Sequence, residues 1–269
     1  MGALFLPSKL HEILDLMKVQ GRVIYAILMR DMRTRFGRTH LTYLVAIGWP
    51  LSHLAGMILA FTMVNRLLPF GTDSTVFITT GVLPYVLCLY PSRMMAIMMN
   101  HTGGALQFPI VHSIHLIVAR SILEGLTAFA VVIVLVFVLW CADVEIMPND
   151  VPGALLAIYA AVFFGLTIGT LTTVLRAIFK TAGYVVMVLT MVGLYLSSGV
   201  YVSLTPSSET MRTLIGLNPI YQLVTWMRSA YFETYPAVPL DKHYVVLLSL
   251  FLLSLGLLGE RLFRGKFLS

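Results

Sequence analysis

Six long apolar stretches alternate with short polar segments along this chain: roughly Leu41–Val64, Val76–Met99, Ile114–Trp140, Val151–Phe179, Ala182–Val202 and Tyr244–Phe263. Each is interrupted at most by small or lone polar residues. A hydrocarbon core about 30 Å thick needs about 20 apolar residues per helix. The pattern predicts an all-α integral membrane protein with six transmembrane helices. An even number of spans places both termini on the same side.

Two segments follow another pattern. In residues 8–38, Leu10, Ile13, Leu14, Met17, Ile24, Ile27 and Leu28 recur at three- and four-residue steps, while Lys9, Glu12, Asp15, Lys18 and Arg22 take other positions. That is an amphipathic helix lying along an interface rather than a span, with Gly21 as a point of division. It sets residues 1–38 apart from a membrane domain over 39–269. The second is the long segment 203–242. Pro206 and Ser207-Ser208-Glu209 read as a helix start, Asn218-Pro219 as a break, and Ile220–Phe232 as a second apolar stretch. About a dozen residues cannot cross a bilayer. Two short re-entrant helices, buried by protein, fit this segment.

Composition and charge sharpen the picture. Apolar residues make up 58% of the chain and charged residues 11%, under half the charged share of soluble domains. No polar linker divides the chain into soluble units. With the N-terminus inside, the inner segments hold Lys9, Lys18, Arg22, Arg30, Arg33, Arg35, Arg38, Arg93, Arg120, Arg176, Lys180, Arg261, Arg264 and Lys266. The outer segments hold only Arg66, Arg212, Arg228 and Lys242. This asymmetry predicts cytoplasmic termini. The net charge of +6 is a basic rim facing anionic lipid headgroups. No soluble basic domain offers a face for nucleic acid. The first apolar stretch follows a long charged segment, so the first helix is expected to direct insertion. Cys88 and Cys141 are too few for a disulfide framework.

Chemistry-bearing residues are sparse. His101, His112 and His115 lack an accompanying carboxylate or cysteine at metal-site spacing, so no metal site is expected. Glu124 is the lone carboxylate well inside a span, and Arg120 lies one turn earlier, which predicts a self-satisfied ion pair. No phosphate-binding loop is present. The chain is therefore not expected to be an enzyme, and any ATP hydrolysis belongs to another subunit. The connector Asn100-His101-Thr102-Gly103-Gly104-Ala105-Leu106-Gln107-Phe108-Pro109 reads as a short helical elbow on the inner side, with Pro109 placed to begin the next helix.

The ordered set of local motifs resembles the membrane permease of bacterial type-2 ABC exporters, specifically those that export capsular or related polysaccharides. Arg30-Asp31-Met32-Arg33-Thr34-Arg35-Phe36-Gly37 resembles the family's charged turn before the first span. Leu41–Pro50, with Tyr43, Trp49 and Pro50, resembles its first-helix start. Thr80-Gly81-Val82-Leu83-Pro84 and Phe108-Pro109-Ile110-Val111 resemble the second helix and the elbow. Ala119–Glu124, Leu217-Asn218-Pro219-Ile220 and Arg228–Phe232 resemble the third-helix and outer re-entrant motifs. The likeness covers about residues 20–265. Val45 and Thr42 depart from the usual first-helix run, and Ser197-Ser198-Gly199-Val200 replaces the usual Ser-Pro pair.

The resemblance implies a bacterial inner-membrane location and two permease copies working with two cytoplasmic ATPase subunits, which carry ATP and Mg. It implies no cofactor on this chain. The cargo would be a lipid-anchored polysaccharide passing between the two permeases. An optional further partner is a periplasmic co-polymerase-type export protein. Asn100, Gly103, Gly104, Phe108 and Pro109 would couple to the ATPase; Asn218, Pro219 and Arg228 would form an outer gate. Aromatic faces stack on sugar rings, which makes Tyr43, Trp49, Tyr85, Tyr90, Tyr195, Tyr201 and Trp226 candidates for the path. Arg33, Arg35, Arg38 and Arg93 are candidates for an anchor phosphate, which guanidinium meets bidentately. A drug or small-lipid ABC permease shares this topology and stands as the nearest alternative. An integral-membrane transferase and a secondary carrier are more distant ones.

Overall fold

The computed structural model describes residues 6–36, 41–63, 74–97, 105–200, 208–236 and 239–267, with side chains described for all of these except 6–10, 34–36, 41–43 and 62. The described residues form helices α1 (Leu6–Phe36), α2 (Leu41–Met63), α3 (Ser74–Ile97), α4 (Ser113–Cys141), α5 (Val151–Phe179), α6 (Thr181–Leu196), α7 (Glu209–Gly216), α8 (Pro219–Tyr231) and α9 (Lys242–Leu262), ending in a 3₁₀ turn at Arg264–Phe267. Five of them, α2, α3, α4, α5 and α9, are long and apolar enough to cross a membrane. The fifth expected span is the 16-residue α6, shorter than that length.

Helix α1 runs unbroken through Gly21. Its first half leaves Ile13, Leu14 and Met17 exposed, while Val23, Ile24, Ile27 and Leu28 pack on Leu116, Ile117 and Ala119 of α4. The amphipathic pattern therefore serves two surfaces in succession. Half of the expected elbow, residues 100–104, lies outside the described residues. Residues 105–110 are turns, and α4 begins at Ser113 instead of Pro109. The reason is local capping. The His112 N–H donates to His115 Nδ1 at 3.1 Å, and the first helical turn closes on the His112 carbonyl.

Helix α3 is the axis of the bundle. Of its span 78% is buried, against 11% for α2 and 22% for α9. It packs most heavily on α5, and the cause is a row of small residues on α5. Ala157, Ala161, Gly165, Gly169 and Thr173 fall at every fourth position, a row inclined to the helix axis. A Cβ on Gly165 would sit 2.6 Å from the Cys88 carbonyl oxygen, and one on Gly169 2.8 Å from the Met95 Cβ. Such close approach is how helices associate inside a membrane, where lipid is as apolar as the side chains. Cys88 Sγ donates to the Ala161 carbonyl at 3.2 Å and Thr173 Oγ1 to that of Met95 at 3.1 Å. Helix α9 seats on the opposite flank of α5, with Gly256 against Thr170 and Leu171 and Gly259 against Val174. Between α5 and α6 the chain reverses at one residue, Lys180, with φ of 52°. Gly183 then lies against the backbone of Leu175 and Arg176, closing the hairpin.

Candidate functional site

The aromatic candidates divide by location. Tyr85 of α3 and Tyr195 of α6 are both buried and stack with ring centroids 3.8 Å apart at 20°. His53 of α2 presents an edge to Tyr85 at 6.3 Å and to Tyr90 at 6.2 Å. The Tyr90 hydroxyl donates to the Trp49 carbonyl at 3.5 Å. Four of the candidates, Trp49, Tyr85, Tyr90 and Tyr195, thus meet around a histidine that sequence reading passed over. The available signal was its four-residue step from Trp49. Trp226 lies elsewhere, buried in α8 with the Lys242 ammonium 5.2 Å from its ring. Tyr201 and the Tyr43 side chain lie outside the described residues.

At the α8 end of the bundle, Asn218 caps α8. Its Oδ1 accepts from the Ile220 and Tyr221 N–H groups at 2.9 and 3.3 Å. Its Nδ2 donates to the Leu194 carbonyl at 2.8 Å and to Ser197 Oγ at 2.9 Å, tying α8 to the end of α6. Pro219, the first residue of α8, is buried and needs no N–H partner. At the other end of α8 the Ala230 and Tyr231 carbonyls accept from Asp150 N–H at 2.9 Å and Asn149 Nδ2 at 3.0 Å. Gln222 donates to the Gly216 and Pro239 carbonyls at 2.8 and 2.9 Å and accepts from Asp241 N–H at 2.8 Å.

Arg228 holds this assembly at its centre and is fully buried. Its guanidinium donates to the Gly199 carbonyl at 2.9 Å and the Val200 carbonyl at 2.6 Å, and rests 3.8 Å from the centroid of the Phe77 ring. Gly199 has φ of 69°, a backbone state that glycine adopts freely and that brings two successive carbonyls onto one cation. Gly81 makes the room, since a Cβ there would lie 2.6 Å from an Arg228 terminal nitrogen. The arrangement locks α3, the turn after α6, and α8 together through a desolvated charge.

At the α1 end, Leu106, Phe108, Pro109, Val111, His112, Ser113, Arg264 and Phe267 line a groove of about 190 Å³ between the elbow and the C-terminal turn. Phe108 and Pro109 are exposed. Ser113 Oγ donates to the buried Glu260 carboxylate, which also accepts from Arg264 Nε at 3.1 Å. This tie between the starts of α4 and the end of α9 had no local sequence signal, because its partners are 147 residues apart. Arg120 and Glu124 pair at 2.9 Å as their spacing predicted. Arg33 and Arg93 are exposed. The Arg35 side chain, Arg38, Asn100, Gly103 and Gly104 lie outside the described residues. Among the described residues no three His, Cys, Asp or Glu side chains gather as a metal site.

No protein-family model matches the chain. It is 26% identical over 241 residues to the polysialic acid transport protein KpsM of Escherichia coli, covering 89% of this chain and 93% of that protein. It is 26% identical over 260 residues to the capsule polysaccharide export inner-membrane protein CtrC of Neisseria meningitidis serogroup A, covering 93% of this chain and 95% of that one. The serogroup B CtrC gives 26% over 241 residues, 89% of this chain and 90% of that protein. Five membrane-length helices, together with a likeness carried along nearly the whole of both chains, make this chain a multi-pass membrane protein similar to KpsM and CtrC.

Proposed function

We propose that this chain is the transmembrane subunit of an ATP-driven exporter that moves a lipid-anchored capsular polysaccharide across the bacterial inner membrane. The observation that carries the reading is the end-to-end likeness to inner-membrane capsule export proteins. Two copies form the channel, and two cytoplasmic ATPase subunits supply ATP, Mg and the stroke. The α1 end is cytoplasmic, because the basic residues concentrate there. Helix α6 is the sixth crossing. Its 16 residues rise only about 24 Å, and the turn at Ser197–Val200 carries the chain onward toward the α8 end. Helices α7 and α8 form the outer re-entrant pair, with Asn218, Pro219 and Arg228 as its gate.

The elbow, with Asn100, Gly103, Gly104, Phe108 and Pro109, takes up the ATPase motion. Phe108 and Pro109 stand exposed for that contact, and the Ser113–Glu260–Arg264 tie passes movement of α4 to α9. Arg33, Arg35 and Arg38 receive the anchor phosphate at the entrance. The test is deletion in the host followed by complementation, with surface polysaccharide and copurifying ATPase activity measured together. Deletion should empty the cell surface of polysaccharide and leave it inside. An unchanged surface coat would sink the reading.

A further inference from the structure

One patch of the bundle sets aromatic, imidazole and guanidinium groups side by side on the surface of α2 and α3. Helix α3 is buried through its middle but opens over its last turns at Leu89, Tyr90, Arg93, Met94 and Ile97. Helix α2 runs antiparallel beside it, with Trp49 near Tyr90 and His53 near Tyr85. Trp49 is 60% exposed, and His53 and Tyr90 are half-buried. Eight residues separate Leu41 from Trp49, a rise of about 12 Å. The patch therefore lies in the half of the spanning helices nearer α1.

Of these groups the guanidinium is the costly one in hydrocarbon, and an ionisable residue within a span faces a water-filled path or the bundle interior. Their chemistry is also specific. Trp49 and Tyr90 offer ring faces to the apolar face of a sugar. His53 offers a ring nitrogen between Tyr85 and Tyr90. Arg93 makes no ion pair or hydrogen bond among the described residues and stands exposed one turn from Tyr90, where a carboxylate would complete it. Tyr85 and Tyr195 are taken out of this role by their own stacking; they form the floor.

We infer that His53, Tyr90 and Arg93, with Trp49, form a subsite for an acidic sugar residue on the inner half of the permeation path. This rests on the export reading above and names the cargo class it favours, a carboxylate-bearing glycan over a neutral one. An anion could equally arrive as the phosphate of a lipid anchor, so the test separates the two.

The assay uses the full chain with its ATPase partner in lipid nanodiscs. Tryptophan fluorescence is followed on adding an octamer of α2,8-linked sialic acid, a glucose octamer, or glycerol 3-phosphate. The part of the signal lost in Trp49→Phe is the Trp49 response. The sialic acid octamer should quench it, and the glucose octamer should bind more weakly. His53→Ala, Tyr90→Ala and Arg93→Gln should each weaken binding by about fivefold or more, with Arg93→Lys recovering part of the loss. Unchanged thermal unfolding of these variants separates lost binding from lost folding. Equal binding of acidic and neutral octamers, indifference to the three substitutions, or a response to glycerol 3-phosphate alone would overturn the subsite. Surface polysaccharide distinguishes the two levels. If deletion of the chain abolishes it but His53→Ala and Arg93→Gln export acidic glycan normally, the subsite falls and the export reading stands. If deletion changes nothing, the export reading falls.

Discussion

A buried arginine in a membrane protein is tolerated only where the surroundings replace water. Arg228 meets that condition with backbone carbonyls and a ring face, and Gly81 and Gly199 are the residues that permit it. Two substitutions test the lock from opposite sides. Gly81→Ala drives a methyl into the guanidinium and the Val200 carbonyl, an overpacking that costs about 1–3 kcal/mol. Arg228→Gln removes charge-assisted hydrogen bonds worth roughly 1.5–3 kcal/mol and leaves carbonyls unpaired. Thermal unfolding in nanodiscs should show both destabilised, and the double variant should lose less than the sum because the two residues share one contact. Simple additivity would mean that the two do not act as a unit. Arg228 was visible in the sequence as part of the Arg228–Phe232 motif. Its Gly199 and Val200 partners were not, since they come from the end of another helix.

At the scale of elements, the small-residue row of α5 determines which helices become neighbours. Gly165→Leu should prevent α3 from seating and sharply lower the yield of folded protein in detergent. Gly56→Ala on α2 is the control, because a Cβ there meets nothing within 4 Å of the same chain. It should fold normally, with a helix-propensity gain of at most about 1 kcal/mol. A Gly165→Leu variant with wild-type unfolding would sink the packing account. The four-residue spacing of this row is legible in the sequence. Which helix fills it is not, because several apolar helices of similar length compete for it. The Arg120–Glu124 pair was legible for the opposite reason: both partners sit on one helix, four residues apart.

Across the bundle from end to end, the native cysteines offer a direct measurement of sidedness. Cys141 is exposed at the end of α4, and Cys88 is buried between α3 and α5. A membrane-impermeant maleimide should label Cys141 in intact spheroplasts and leave Cys88 silent. In a Cys141→Ser background, Gln107→Cys and Gly265→Cys should be labelled only after the membrane is opened. Labelling of Gly265→Cys from outside would place the C-terminus across the membrane and remove α6 as a crossing.

Composition and periodicity were enough to read an all-α membrane protein built of long apolar helices, with an amphipathic pattern in α1. Both act within single helices, where neighbours in space are neighbours in the chain. The sequence also pointed to the break at Asn218-Pro219, since a cap followed by proline is a local signal. Packing set α3 as the axis, left α6 short and folded back on α5, and closed the α8 end with Arg228. It alone brought His53 into the aromatic group and Glu260 onto Ser113. Each of these depends on which of several nearly equivalent apolar surfaces meet. Inside a bilayer the hydrophobic effect does not choose among them; close backbone approach and a few buried polar contacts do.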